Sequence, residues 1–531
     1  MRVTANQLLV GAALFITAFA NLAFFRNVSE TFAGTPWAYG HLLSLAFVLF
    51  CALLLLLSLL CVGRTTKPVL TLFLMGSSVA AYFMDSYNVI IDRDMLVNVV
   101  NTDAGEIGDL LTVRLALYLV LLGILPSLFV WRLRVRPQGL LGELRARAVL
   151  AGGAIAIAAV LILASSAFYA SFIREHKSLR YYTNPLTPVY ALTGLVRRQF
   201  AQPEGPLQVL AEDAHTPSED ADRELVIMVV GETARADRFS LNGYGRETNP
   251  RLADEAVISF TNMVSCGTST AISVPCMFAL STRGEFDGDE ARSTENLLDI
   301  LQRAGVHVLW RDNNSDSKGV ATRVPYEDFR SPASNPVCDP ECRDEGMLEG
   351  LQAFIDAQRE GDILIVLHQM GSHGPAYYKR YPARFKRFEP TCETSQLDNC
   401  TPEAIGNTYD NTILYTDHFL AELIGLLRAN DPRFETALFY ASDHGESLGE
   451  AGLYLHGLPY LVAPETQTRV PFILWFGPSN RDVDRAAVER MRDMPLSHDN
   501  IFHTVLGLFE IRSGVYDGAR DLLHGTRLDD T

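Results

Sequence analysis

The chain has no excess of positive charge: 45 lysines and arginines stand against 62 aspartates and glutamates, a formal net charge of −17. No global field draws in a phosphate polymer, so nucleic acid is set aside as a partner and any anionic substrate must be held by local cations. No internal repeat and no long low-complexity tract appears, which excludes a repeat architecture. None of the eight cysteines falls in the C-x₂-C spacing of common cysteine-zinc sites. What the sequence does hold is 531 residues, too many for one ordinary core, with a 48% apolar content concentrated in the first third.

Five apolar runs stand out there, at 8–25, 42–62, 69–83, 115–131 and 149–172. A bilayer core about 30 Å thick needs roughly 20 apolar helical residues. The third run reaches that length only by extending past Asp85 to 91. The first follows Arg2 as a signal peptide would, but its length and the four runs after it read as a retained helix. With the N-terminus in the cytoplasm, the inner segments hold Arg2, Arg64, Lys67, Arg132, Arg134, Arg136, Arg145 and Arg147, against Arg26, Arg93 and Arg114 outside. That bias favours N-in orientation, and five crossings then place everything after Phe172 outside the cytoplasm.

Cysteine usage agrees with that compartment. Cys51 and Cys61 sit in the second apolar run, whereas the other six form three close pairs: 266 and 276, 338 and 342, 392 and 400. An even number in an extracytoplasmic region points to disulfides, although six cysteines alone allow 15 connectivities. Between 174 and 200, basic residues interleave with Tyr181, Tyr182, Tyr190 and Leu195, a mixture suited equally to a membrane-surface helix or an ordinary linker. Residues 201–224 are Pro-rich and acidic and mark a boundary. The expected organisation is a transmembrane domain (1–173), an interfacial helix and linker (174–224), and an extracytoplasmic domain (225–531).

From 225 onward "LVIMVV" (225–230), "VHVLW" (306–310), "ILIVLH" (363–368), "ALFYAS" (437–442) and "FILWFG" (472–477) are short, β-rich and continuously apolar. Such runs suggest strands buried on both faces. They alternate with helix-like stretches, among them 295–305, which closes on Gly305, and 411–430. The fold expected is an α/β domain with a mostly parallel sheet flanked by helices.

In such sheets ligands sit beyond the carboxyl ends of the strands. Three strands run into chemistry there: the first into Glu232-Thr233, the third into His373 by way of "QMGSHG", and the fourth into "DHGE" from Asp443. Carboxylate oxygens and neutral imidazole nitrogens are zinc donors. Singly each is weak, since a glutamate after a strand is more often a cap. A fourth segment, "CGTSTAISVPC" (266–276), offers four hydroxyls, Thr268, Ser269, Thr270 and Ser273, among which spacing does not choose.

Six segments carry a resemblance: "VGETAR" (230–235), "CGTSTAISVPCMF" (266–278), "WRDNNSDSKGV" (310–320), "LHQMGSHGPAYYKRYP" (367–382), "SDHGESLGE" (442–450) and "LYLHGLPY" (453–460). In order, and over nearly the whole chain, these resemble the lipid A phosphoethanolamine transferases. That family includes the mobile colistin-resistance enzymes, belongs to the alkaline phosphatase and sulfatase superfamily, and has five N-terminal transmembrane helices. The resemblance implies a zinc site of Glu232, Thr270, Asp443 and His444, with Thr270 as the nucleophile. It implies that His373 and His456 lie close by, assisting proton transfer, binding phosphate or holding a second zinc. Asn314, Ser315 and Lys318 match positions near the substrate phosphate, and Asn98, Thr102 and Glu106 match lipid-substrate positions. The three disulfides implied are Cys266–Cys276, Cys338–Cys342 and Cys392–Cys400.

The implied reaction is double displacement through a covalent phosphoethanolamine–Thr270 intermediate, from phosphatidylethanolamine to a lipid A phosphate. The implied setting is the bacterial inner membrane, with the catalytic domain in the periplasm and a monomeric chain. A sulfatase would carry a C-x-P-x-R type motif; here Cys276 follows Pro275 and precedes Met277. Two other readings compete: transfer of phosphoethanolamine or phosphoglycerol to another envelope glycan, and a non-catalytic membrane receptor, which intact Glu232, Thr270, Asp443 and His444 argue against. The basic loop Lys379, Arg380, Arg384, Lys386 and Arg387 reads as a solvated charged face slightly more readily than as a surface for anionic headgroups.

Overall fold

The computed structural model describes residues 2–34, 38–101, 108, 110–136, 139–200, 206–217, 222–339 and 341–527. The chain divides into two compact units, one of Met1–Leu96 with Leu110–Arg197, the other of Val97–Asp109 with Arg198–Thr531.

The first unit is helical. Helices α1 (Ala5–Phe19), α2 (Leu22–Thr31), α3 (Ala38–Leu60), α4 (Thr66–Tyr87), α5 (Arg93–Asn101, assigned to the second unit from Val97), α6 (Val113–Arg132) and α7 (Leu140–Ala164) follow in order. By length and composition α3, the 63–87 helix containing α4, α6 and α7 can each cross a membrane, and α1 with α2 makes a fifth span if the bent pair is counted as one. Where a single run over 8–25 was expected, α1 and α2 meet at 53°. The buried Asn21 occupies the bend; its amide donates to Ile16 O at 3.0 Å and to Asn184 O at 2.8 Å. Asn184 answers through its own N–H to Asn21 Oδ1, and its amide donates to Ala20 O and Ser77 O. Carbonyls exposed by a bend among apolar helices have no water to turn to, so these two asparagines make the bend tolerable.

The other runs also differ in detail from expectation. Helix α4 stops at Tyr87, where Asn88 turns left-handed at φ +55°, so 88–91 lie outside the helix. The run 149–172 divides at Ser165, which leaves helical dihedrals, and α8 (Ser166–Glu175) follows. Within α6 the turn Leu119–Ile124 is a π-helix. A Cβ on Gly123 would lie 2.8 Å from Met75 Sδ and 2.9 Å from Ser78 Oγ, so glycine permits the close approach of α4 and α6. Residues 177–200 form two short helices, Lys177–Tyr181 and α9 (Leu186–Phe200).

The second unit is built on an eight-stranded sheet. Its strands are β1 (Glu224–Gly231), β2 (Ile258–Val264), β3 (His307–Asp312), β4 (Tyr326–Asp328), β5 (Ile363–His368), β6 (Glu435–Ser442), β7 (Arg469–Phe476) and β8 (Leu496–Ser497). They lie in the order β8-β2-β7-β6-β1-β5-β3-β4, parallel except that β7 runs antiparallel to both neighbours. Every residue of β1, β5 and β6 is buried, as continuous apolar runs require. Val226, Met228 and Val230 face one core with α11 (Leu297–Ala304) and α13 (Ile501–Leu508). Leu225, Ile227 and Val229 face the other with α12 (Pro402–Asn430). Helix α11 ends on left-handed Gly305, φ +106°, as its sequence suggested. Strands β2, β4 and β8 have no clear apolar run: Ser259, Thr261 and Asn262 interrupt the first, and the others span three and two residues.

Asn184→Ala is expected to lower the melting temperature of the detergent-solubilised protein by several degrees. It leaves the carbonyls of Ala20 and Ser77 without their donor, at about 1–3 kcal/mol for an unsatisfied buried group, while the bonds to Asn21, made by the Asn184 backbone, remain. Thr183→Ala, whose hydroxyl is exposed, serves as the near-neutral control.

Candidate metal centre and active site

The parallel register brings the strand ends together. Gly231 pairs with Ser442, so Glu232 and Asp443 leave adjacent strands side by side. Glu232, Thr270, Asp443 and His444 are all buried. Thr270 opens α10 (Thr270–Met277), and its Oγ1 donates to Glu232 Oε2 at 3.0 Å while lying 3.4 Å from His444 Nε2. Two of the other three hydroxyls of the segment are committed elsewhere: Thr268 Oγ1 donates to Leu458 O and Ser273 Oγ to Asp443 O. Cys266 and Cys276 are bonded, as are Cys338 with Cys342 and Cys392 with Cys400.

Ligand atoms of Glu232, Asp443 and His444 lie within 4.8 Å of one another. His444 Nδ1 donates to Gly445 O at 2.9 Å, which leaves Nε2 with a lone pair, 3.5 Å from Glu232 Oε1 and 3.4 Å from Asp443 Oδ2. Those two carboxylate oxygens are buried without a hydrogen-bond donor. Three lone-pair atoms converging in a dry site, with a hydroxyl beside them, fit a divalent cation of the zinc type and leave little else to satisfy them. The titration directions agree. Burial, then Asp443, raises the Glu232 carboxyl to about 7. Burial raises Asp443 to about 6, and burial with the nearby His456 lowers His444 to about 4.

His373 and His456 flank this cluster. The His456 ring centroid lies 4.4 Å from that of His444 and 5.5 Å from that of His373. His456 Nδ1 donates to Glu446 Oε2 at 2.7 Å, and Tyr377 OH donates to the other oxygen of Glu446. Burial opposes protonation of His456, but Glu446 prevails and raises it to about 9. Burial and then His456 hold His373 well below its usual value. On the opposite side Asn314 Nδ2 donates to Glu232 Oε2 at 2.8 Å and to Gln369 O at 2.7 Å. Ser315 donates to Asn314 Oδ1, and Lys318 Nζ to Ser315 O at 2.8 Å. Thr233, Lys318 and Leu455, each at or next to a candidate residue, hold left-handed φ of +51°, +51° and +64°. Strain of that kind in non-glycine residues collects at functional sites.

Asn98 is half-buried on α5, and Thr102 and Glu106 lie outside the described residues. In the basic loop Arg384 pairs with Glu345, Lys386 with Glu393 and Arg387 with Glu247, which favours the charged-face reading. Sequence reasoning missed the supporting polar groups. Asp312 Oδ2 accepts from His368 Nδ1 and Trp310 Nε1, and its Oδ1 from the backbone of Asn314 and Asp316, so it shapes the Asn314–Lys318 loop. His498 was also missed; it bonds both the Cys266 N–H and Ser442 O. His368 was visible as a strand end inside a family segment without a role of its own, and His498 only as a loop residue.

Residues 49–200 match the family model described as phosphoethanolamine transferase EptA/EptB, and residues 224–511 match the sulfatase model. The chain is 43% identical over 519 residues to phosphatidylethanolamine transferase Mcr-1 of Escherichia coli, covering 95% of this chain and 94% of that one. It is 39% identical over 533 residues to phosphoethanolamine transferase EptA of Escherichia coli K12, covering 97% and 96%. Among solved structures it superposes on the integral membrane protein lipooligosaccharide phosphoethanolamine transferase A from Neisseria meningitidis with a TM-score of 0.95, at 34% identity and 99% coverage of each chain.

The carboxyl shifts carry a pH signature. Folded, metal-depleted protein binds protons at Glu232 and Asp443 that the unfolded chain releases near its ordinary values of 4.5 and 3.8. Its stability should therefore fall as pH rises from about 4.5 to about 7. Zinc competes with those same protons, so its apparent affinity should climb over the upper part of that window and level off above it. Melting curves with and without zinc across that range check both signs; a zinc affinity indifferent to pH would count against this ligand set.

Proposed function

The chain belongs to the phosphoethanolamine transferase family, and from that premise we propose that it transfers phosphoethanolamine from phosphatidylethanolamine to a phosphate of lipid A. The observation that carries this reading is the Thr270 hydroxyl, the one hydroxyl of its loop bonded to a carboxylate of the buried ligand set, at 3.0 Å from Glu232 Oε2. Glu232, Thr270, Asp443 and His444 would hold one zinc ion, which when bound supplies the positive charge that favours a deprotonated hydroxyl and offsets phosphoryl charge.

The remaining work falls to side chains. Thr270 Oγ attacks phosphorus, a covalent phosphoethanolamine–threonine ester forms, and the bond to diacylglycerol breaks. His456, oriented by Glu446, and His373 beside it serve the proton taken up by the departing glycerol oxygen. A lipid A phosphate oxygen then attacks the same phosphorus, and Thr270 leaves with its hydroxyl restored. Asn314 orients the Glu232 carboxylate, and Lys318, on a loop shaped by Asp312, adds positive charge for the phosphoryl oxygens. His373 and His456 are also the pair that would take a second zinc during turnover.

Donor and acceptor are both membrane lipids, and four or five apolar helices would keep the chain in the same bilayer. The basic bias of the inner loops supports a multi-pass inner-membrane protein with its N-terminus in the cytoplasm and residues 225–531 in the periplasm as the catalytic domain. Monomeric function is part of the same reading.

Thr270→Ala should abolish transfer while leaving folding and membrane insertion unchanged, and an active variant would sink the covalent route. Mass spectrometry of lipid A from expressing cells should show added phosphoethanolamine. An unmodified lipid A beside a modified oligosaccharide would move the acceptor to another envelope glycan.

A further inference from the structure

We infer that His498 is a positioning residue for this reaction: it clasps the nucleophile loop to the end of β6 and so fixes Thr270 relative to Asp443 and His444. The inference rests on the reading of Thr270 as nucleophile. His498 is 1% exposed and stands in the short turn His498–Asn500 between β8 and α13. Its Nδ1 accepts from the Cys266 N–H at 3.1 Å, and its Nε2 donates to Ser442 O at 3.1 Å. Only one neutral tautomer satisfies both bonds, since an imidazolium has no lone pair for Cys266 and the other tautomer would set two donors face to face.

Ser273 completes the clasp. Its Oγ lies 3.3 Å from His498 Nδ1, accepts from the Gly267 N–H at 3.3 Å and donates to Asp443 O. Two successive N–H groups at the start of the loop are thus tied, through one ring and one hydroxyl, to two successive carbonyls at the end of β6. The loop is also tied to Glu232 through Thr270 and to Gly457 and Leu458 through Thr268, while Tyr460 and Thr468 hold the preceding Ser265. The Cys266–Cys276 bridge closes the loop on itself but does not attach it to β6. The hydrogen bonds of His498 run to Cys266, Ser273 and Ser442 rather than to the side chains of Glu232, Asp443 or His444, so its removal is expected to leave the ligand atoms in place and loosen the loop that carries the hydroxyl.

The test uses full-length protein in detergent carrying His498→Phe, a ring of similar size without nitrogens. A misplacement of about 1 Å costs about 100-fold in rate, so kcat should fall about 100-fold with KM and bound zinc little changed. The cobalt-substituted variant should show an absorption spectrum shifted toward that of cobalt-substituted Thr270→Ala, because in both the hydroxyl no longer reaches the ion. A folded His498→Phe with wild-type kcat and a wild-type cobalt spectrum would overturn the inference. Should that variant not accumulate as folded protein, Ser273→Ala removes the companion tie at little cost in volume and should lower kcat in the same direction; wild-type kcat there would overturn it equally. Thr270→Ala separates the two levels: if it keeps activity and the wild-type spectrum, the nucleophile reading fails and the clasp with it. If Thr270→Ala behaves as expected while His498→Phe is wild-type, only the clasp fails.

Discussion

The site depends on one pairing register. Gly231 lies opposite Ser442 on one side of the sheet's centre, and Val230 opposite His368, itself opposite Asp312, on the other. Because side chains alternate along a strand, a slip of one residue in β1 would exchange its two faces. Val226, Met228 and Val230 would then meet the core built for Leu225, Ile227 and Val229. The apolar alternation therefore enforces the register, and the register delivers Glu232 beside Asp443. Packing on both faces of the sheet is what aims the polar chemistry at its edge.

Charge makes the second distinction, between scaffold and ligand. Asp344 is as deeply buried as Glu232, yet its two oxygens accept from Asn313, Met370, Gly371 and Gln369. Asp312 is likewise saturated by four donors. Glu232 and Asp443 each keep one oxygen with no donor at all, and His444 turns its lone pair toward them. In a dry interior such atoms are costly unless a cation meets them. Saturated carboxylates hold the loops; the unsaturated ones are where a cation belongs.

Much of this was legible in the sequence, and the parts that were not share a cause. The buried strands announced themselves because "LVIMVV", "ILIVLH" and "ALFYAS" are continuous apolar runs. Strand β2 did not, since its partners β7 and β8, not its composition, make it a strand. The bend between α1 and α2 was hidden for a similar reason: Asn21 looks like a polar interruption until Asn184, 163 residues on, completes it. Family motifs singled out Glu232, Thr270, Asp443 and His444, but not the saturated Asp312 or the neutral His498, whose roles exist only through contacts made across the fold. Local chemistry can be read from a string, whereas second partners that arrive from distant segments cannot.

One such distance has a consequence for how the protein is made. The Cys266–Cys276 bridge joins residues 10 apart, but the bond from Cys266 to His498 joins residues 232 apart. Chains emerge N-terminus first, so the loop can close on itself long before the turn that anchors it has been synthesised. A chain halted ahead of residue 498 would already hold Glu232, Thr270, Asp443 and His444, the oxidised bridge and the loop's ties to Leu458 and Asp443, but not the imidazole that joins Cys266 to Ser442. A late segment of the domain thus supplies the imidazole tie of this loop, after its ligand residues and its bridge are already in the chain.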